Sequence, residues 1–147
     1  MMKLALALIL AATPALADVR VIDGDTLQVD GVTWRLSGID APESGQVCAD
    51  GWRAGLYATA TLHWLVVPQP VTCRGTETDR FGRRIGICSG PDGVDLGRAM
   101  VEAGMAWAFV KYSGAYIRQE SEARAARAGV HAHDCQAPWD WRAQRRQ

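Results

Sequence analysis

Hydrophobic and polar positions alternate most clearly between Thr26 and Leu36, where Leu27 and Val29 lead into Asp30-Gly31 and Val32, Trp34 and Leu36 lead out. Alternation at period two around Asp-Gly predicts a β-hairpin, because that dipeptide suits the positive-φ positions of a type I′ turn. Val32, Trp34 and Leu36 then share one face, and Arg35 points away from it. Downstream the period lengthens. Ala54, Tyr57, Ala58, Thr61, Leu62 and Leu65 recur at helical spacing, predicting a helix from about Asp50 to Leu65 that stops before Pro68. "PVTCRG" (70–75) and "RRIGICSG" (83–90) read as strands joined by the polar connection "TETDRFG" (76–82). A second helix takes Asp95 as its N-cap, carries apolar Leu96, Ala99, Met100 and Ala103, and stops at Gly104. A third, "AYIRQESEARAARAG", ends at Gly129; its charges, including the i,i+4 pair Glu120 and Arg124, read as a solvated face. The tail from about residue 136 reads as partly irregular and its last six residues as frayed.

Strands, a helix, more strands and then two helices predict an α+β domain with a small, mostly antiparallel sheet. About five strands with an inserted helix are compatible with an oligonucleotide-binding (OB-fold) β-barrel. The first 17 residues stand apart. Lys3, an apolar run from Leu4 to Ala12 and the small residues Ala15 and Ala17 follow one another as in a secretory signal peptide. The expectation is residues 1–17 as leader and 18–147 as one domain, exported to a periplasm or secreted, without a membrane anchor, and monomeric.

Charge excludes one class. The chain carries 16 basic and 16 acidic residues, so it is not a protein that holds nucleic acid by bulk electrostatics, and an anionic partner needs a local constellation. Four cysteines in an exported chain favour disulfides. Four allow three pairings. If the strands ending in Cys73 and Cys88 are neighbours, those two pair easily, and Cys48 then ties to Cys135; a zinc site with His131 or His133 is the alternative.

"VIDGDTLQVDGVTWRLSGIDAPE" (21–43) holds Asp23, Asp25, Asp30, Asp40 and Glu43 with one arginine. Asp30 is a turn residue at the far end. The other four gather at the hairpin mouth, where like charges repel unless a cation or hydrogen-bond donors stand between them. Carboxylate oxygens call for a hard cation, Ca²⁺ or Mg²⁺. Gly24 allows a bulge or unusual φ between two of the acids, and Pro42 biases Ala41 to an extended conformation that aims its carbonyl as a further ligand. Arg35, Arg80, Arg83 and Arg84 supply guanidiniums, which match phosphate bidentately. Metal, phosphate clamp and a spare carboxylate are the components of metal-assisted phosphodiester hydrolysis. A surface ion-pair cluster on a binding module uses the same residue types.

"VIDGDTL", "WRLSGIDAPE" and "DRFGRRIGI", in that order and with a helix between the last two, resemble the staphylococcal nuclease family; "DLGRAMVEAGMAWAFVKY" resembles its C-terminal half. The resemblance implies a five-stranded OB-fold barrel with three helices and a Ca²⁺-dependent endonuclease of DNA and RNA that leaves 3′-phosphate ends. By position it makes Asp25, Asp40 and the carbonyl of Ala41 the calcium ligands, with Asp23 nearby. Arg35 and Arg83 correspond to the arginines that grip the scissile phosphate, and Glu43 to the carboxylate that orients or deprotonates water. Arg80, Phe81 and Tyr112 correspond to residues holding the rest of the substrate; Phe81 stands where relatives often have tyrosine, so it can stack but cannot hydrogen-bond. Trp34 and Trp107 are expected in the core, Trp139 and Trp141 as packing for the tail, and His131 and His133 as surface or packing residues. A noncatalytic OB-fold nucleic-acid-binding module is the rival reading, and an exported calcium-binding structural protein a third.

Overall fold

The computed structural model describes residues 18–67 and 70–146; the expected leader and Pro68 lie outside them. Asp30 and Gly31 take φ of 48° and 80°, as a type I′ turn requires. That turn sets Val29 opposite Val32 and joins β2 (Thr26–Val29) to β3 (Val32–Leu36). A strand that the pattern did not announce, β1 (Val19–Val21), pairs antiparallel with β2. Asp30 helps to hold it, its carboxylate accepting from the Asp18 N–H at 3.0 Å and its own N–H donating to the Asp18 carbonyl.

After the short β4 (Ile39–Asp40) and α1 (Ala54–Leu65) come β5 (Thr72–Thr78) and β6 (Arg84–Ser89). The five-stranded sheet runs β1-β2-β3-β6-β5, antiparallel except for the β3–β6 pair. β5 extends through Thr76–Thr78, which the sequence reading gave to the connection; a register shift between Arg74 and Glu77 lets the ladder continue. The turn that remains, around Asp79 to Arg83, is short and tight. α2 (Leu96–Glu102), β7 (Trp107–Ala108) and α3 (Ile117–Ala125) follow, with β7 pairing antiparallel to β4.

The core forms where α1 and α2 cover the sheet: Leu27, Leu36, Ile39, Leu62, Leu96 and Met100 are fully enclosed, and Trp34 and Trp107 are buried as expected. Asp95 caps α2, accepting from the N–H groups of Gly97 and Arg98, and takes a further hydrogen bond from the Tyr116 hydroxyl at 2.7 Å. Burial and that bond raise the Tyr116 pKa above the usual phenol range.

Three expectations change. α1 begins at Ala54 rather than near Asp50, because Gly51 has φ of 88° and Ala49 donates its N–H to the Asp134 carbonyl, so this segment is committed to the tail. On α3, Glu120 is not simply a solvated charge: besides pairing with Arg124 at 2.6 Å it accepts the Ala108 N–H and so ties the helix to β7. The tail is not irregular. Pro138 opens a fourth helix, α4 (Pro138–Gln144), where its fixed φ and missing N–H cost nothing.

Both expected disulfides are formed, Cys73–Cys88 across neighbouring strands and Cys48–Cys135 between the loop before α1 and the segment before α4. With no free cysteine among the described residues, the zinc alternative has no thiolates. Cys48–Cys135 spans 87 residues, a loop long enough to constrain the unfolded chain by about 4–5 kcal/mol in the chain-entropy model. Cys48→Ala/Cys135→Ala is therefore expected to lose roughly 3–5 kcal/mol of unfolding free energy in urea titrations of the oxidised proteins; a loss below about 1 kcal/mol would show that the bridge adds little.

Candidate functional site

Arg35, midway along β3, projects from the opposite face to Trp34 and Leu36, and its guanidinium spans two carboxylates: Nη1 lies 2.8 Å from Asp25 Oδ2 and Nη2 2.9 Å from Asp40 Oδ1. The elements fix this meeting. Asp25 immediately precedes β2, whose Thr26 lies opposite Arg35, and Asp40 ends β4. Both acids are buried, Asp40 to 1% exposure. Asp25 also accepts from the Ala41 N–H at 2.8 Å and the Thr26 hydroxyl at 3.1 Å. The same Ala41 bond fixes that peptide beside the carboxylates.

Two glycines permit the close packing. Gly24 has no positive φ; instead a Cβ there would stand 2.8 Å from the Cβ atoms of Ala41 and Ala58. The expected bulge is thus a close approach of three segments. A Cβ on Gly55 would overlap the Glu43 carbonyl, so α1 can lie directly on the loop that carries Glu43 only because residue 55 is glycine. Gln46, almost wholly buried, accepts the Glu43 N–H at 3.1 Å and donates to the Gln136 carbonyl at 2.7 Å, joining that loop to the tail.

The tail then enters the site. Arg142, on the last turn of α4, places Nη2 2.7 Å from Asp40 Oδ2 and Nη1 2.6 Å from Glu43 Oε1, with Nη1 3.3 Å from Asp40 Oδ1. Asp40 is held between two guanidiniums. The bonds to Asp40 and Glu43 raise the Arg142 pKa further above its ordinary value. The sequence reading left Arg142 in a frayed end. The signal available was Pro138, Asp140 and Arg142 at the first, third and fifth positions of one short helix, with the acid near its start and the base near its end.

Arg83 reaches the cluster from the β5–β6 turn: Nη1 donates to the Thr26 hydroxyl at 3.4 Å, while Nε and Nη2 bind Asp79 Oδ2 at 2.8 Å. Asp79, missed in the sequence, also accepts the N–H groups of Phe81 and Arg83, so one carboxylate shapes the turn and aims its arginine. Burial raises the Asp79 pKa, but the hydrogen bonds from Arg83 and Phe81 outweigh it and hold the group below its ordinary value. Phe81 stands out into solvent between Arg80 and Arg83, whose guanidinium carbons lie 4.7 and 5.4 Å from its ring centre. Tyr112 is also exposed but packs on Phe109, with ring centres 5.0 Å apart. His133 stacks on Trp52 and bonds Asp50, His131 lies edge-on to Trp107, and Trp139 stacks on Phe109; neither histidine reaches the acidic cluster.

Electrostatics say what the cluster lacks. Four carboxylates, Asp23, Asp25, Asp40 and Glu43, face two guanidiniums, Arg35 and Arg142, while Arg83 is matched to Asp79, so the acids outnumber the cations they face. Burial, opposed by Arg35 and reinforced by Asp23 and Asp40, pushes the Asp25 carboxyl up to about 7. A hard divalent cation would neutralise that excess, and Asp25, Asp40 and the Ala41 carbonyl are the oxygen donors suited to hold it. Among the described residues no three His, Cys, Asp or Glu side chains form a ready metal cage, so water would complete the ligand set.

Comparisons with known proteins show the family. The family model described as staphylococcal nuclease homologue matches residues 33–133. The chain is 35% identical over 156 residues to a Shigella flexneri protein named micrococcal nuclease, covering 91% of this chain and 86% of that one. An Escherichia coli O157:H7 protein named uncharacterized endonuclease is 36% identical over 131 residues, 84% of this chain and 82% of its own length. A Rhizobium meliloti protein named succinoglycan biosynthesis protein ExoI is 34% identical over 140 residues, 91% of this chain and 68% of its own length.

The raised Asp25 pKa has a sign that can be measured. Without divalent metal, the folded chain keeps a proton on Asp25 that the unfolded chain has released between about pH 4 and 7, so this group's contribution to stability falls as pH rises through that window. In EDTA, the stability of the wild type relative to Asp25→Asn, measured by urea unfolding at successive pH values, is expected to decline from pH 4.5 to 7.5. A flat or rising difference would contradict the assignment.

Proposed function

The chain belongs to the staphylococcal nuclease family and is a nuclease, and from that premise we propose that it is an exported, Ca²⁺-dependent endonuclease that hydrolyses DNA and RNA to 3′-phosphate ends. The observation that carries the reading is the Arg35 bridge between two buried carboxylates, in a cluster where four carboxylates face two guanidiniums. Arginine beside carboxylates that need a cation makes a place for a phosphodiester. Both disulfides suit an oxidising compartment, and no helix among the described residues is long and apolar enough to cross a membrane.

In this reading Asp25, Asp40 and the Ala41 carbonyl hold Ca²⁺, with Asp23 adding negative potential and accepting the Asp25 N–H at 3.0 Å. The ion, when bound, supplies Lewis acidity toward a phosphate oxygen. Arg35 and Arg83 grip the non-bridging oxygens and oppose the charge that builds on them in the transition state. Each must exchange part of its carboxylate pairing for phosphate. Glu43 orients a water and accepts its proton as the oxygen attacks phosphorus; the bond to the 5′ oxygen breaks opposite, and that oxygen takes a proton from solvent. Arg80 and Phe81 offer a charged, stacking edge to the neighbouring nucleotide, and Tyr112 a more distant one.

Nothing in the site reads base edges, so single strands of any sequence should enter. The test is cleavage of a fluorescent single-stranded DNA by the oxidised protein with and without millimolar Ca²⁺. Cleavage is expected only with the metal, and Arg83→Ala should lower turnover by roughly 10³-fold or more, the scale of transition-state arginines. Near-normal turnover in Arg83→Ala would overturn the site assignment. Binding of DNA without product in any divalent metal would make the chain a noncatalytic module.

A further inference from the structure

Arg142 is unlike the other cations of the site because it is delivered by the far end of the chain, 99 residues from Glu43 and 102 from Asp40. Its placement is built. Cys135 is bonded to Cys48, five residues beyond Glu43; Gln46 holds both the Glu43 N–H and the Gln136 carbonyl. Pro138 is fully buried, and Trp139 stacks on Phe109 and meets Trp107 edge-on. Three attachments thus fix α4 against the loop that carries Glu43, and the residue they present to the acids is Arg142.

Glu43 needs such a partner. Its side chain is 38% exposed, and Arg142 is its side-chain partner among the described residues, taking Oε1 at 2.6 Å. Oε2 accepts no hydrogen bond among the described residues and stays free for a water. The other guanidinium nitrogen rests on Asp40 Oδ2, so the planar fork sets the distance and angle between the proposed water-orienting carboxylate and a proposed metal ligand. A single ammonium cannot fix both with the same geometry.

Resting on the nuclease reading, we infer that Arg142 is a positioning residue for phosphodiester hydrolysis, holding Glu43 in register with Asp40 through one bridging guanidinium. Substrate enters without it; the water is aimed with it. Arg142 also places a positive charge next to the proposed cation, so removing it should strengthen Ca²⁺ binding while weakening turnover. Mere loss of α4 docking would instead lower Tm and weaken Ca²⁺ binding and turnover together.

The experiment compares the oxidised wild type, Arg142→Ala and Arg142→Lys in single-stranded DNA cleavage and in Ca²⁺ titration calorimetry without substrate, with thermal unfolding alongside. Arg142→Ala is expected to lose roughly 10- to 100-fold in kcat with KM little changed, the range seen when a residue that orients a metal-site group is lost. It should bind Ca²⁺ roughly three- to tenfold more tightly, since a like charge has left the ion's neighbourhood. Arg142→Lys should restore the wild-type Ca²⁺ affinity but only part of kcat. Unchanged kcat in Arg142→Ala would overturn the inference alone, as would a fall in Tm accompanied by weaker Ca²⁺ binding, which marks a docking role. An inactive wild type would overturn the nuclease reading and this inference with it.

Discussion

Asp40 carries a carboxylate at 1% exposure between two guanidiniums, and the rest of the site is arranged around keeping it there. A buried, ionised acid is costly unless paired and hydrogen-bonded, and removing one partner from such a pair typically costs 3–5 kcal/mol. Arg35 supplies one partner from the central sheet, and Arg142 the other from the last helix. Asp40 also pairs through its backbone with Trp107 in β7. Sheet, tail helix and the β4–β7 pair therefore converge on one residue. In the proposed reading the carboxylates gathered there hold a divalent cation and the arginines a phosphate.

The two arginines of the proposed phosphate clamp are both engaged by carboxylates, Arg35 by Asp25 and Asp40 and Arg83 by Asp79. Such pairs hold a guanidinium in a defined orientation before substrate arrives, which removes part of the ordering cost from the binding step. Asp79 shows how economical the arrangement is: one carboxylate organises the turn through two backbone N–H groups and aims Arg83 through its side chain. Phe81 at the tip of that turn has its backbone N–H held by the same acid, and its exposed ring lies within 4.7 and 5.4 Å of the Arg80 and Arg83 guanidinium carbons.

Much of this was legible because it is local. Asp25, Arg35, Asp40, Ala41 and Glu43 lie within one hairpin and its exit, where the period-two pattern and the Asp30-Gly31 turn dictate which side chains face one another. Sequence alone left three cysteine pairings open; the one it offered on condition that the strands of Cys73 and Cys88 are neighbours, with Cys48 tied to Cys135, is the one the structure forms. What escaped was long-range or carried by short elements. Arg142 sits on a seven-residue helix whose order comes from the disulfide and the aromatic packing of Trp139 rather than from any intrinsic periodicity. Gln46 is a buried amide whose task appears only once the loop and the tail are brought together. From the sequence Gly24 allows a bulge or an unusual φ, and the structure uses its missing Cβ instead.

The central claim is that these acids and arginines form one phosphodiester-binding centre around one divalent ion. Ion and phosphate should then favour each other's binding reciprocally. The most direct measurement is calorimetric titration of the oxidised protein with Ca²⁺, alone and in the presence of a nucleoside 3′,5′-bisphosphate. The account predicts one Ca²⁺ per chain, bound more tightly with the bisphosphate present, and the bisphosphate bound more tightly with Ca²⁺ by the same factor. Absence of Ca²⁺ binding, or binding of the two without mutual effect, would contradict it.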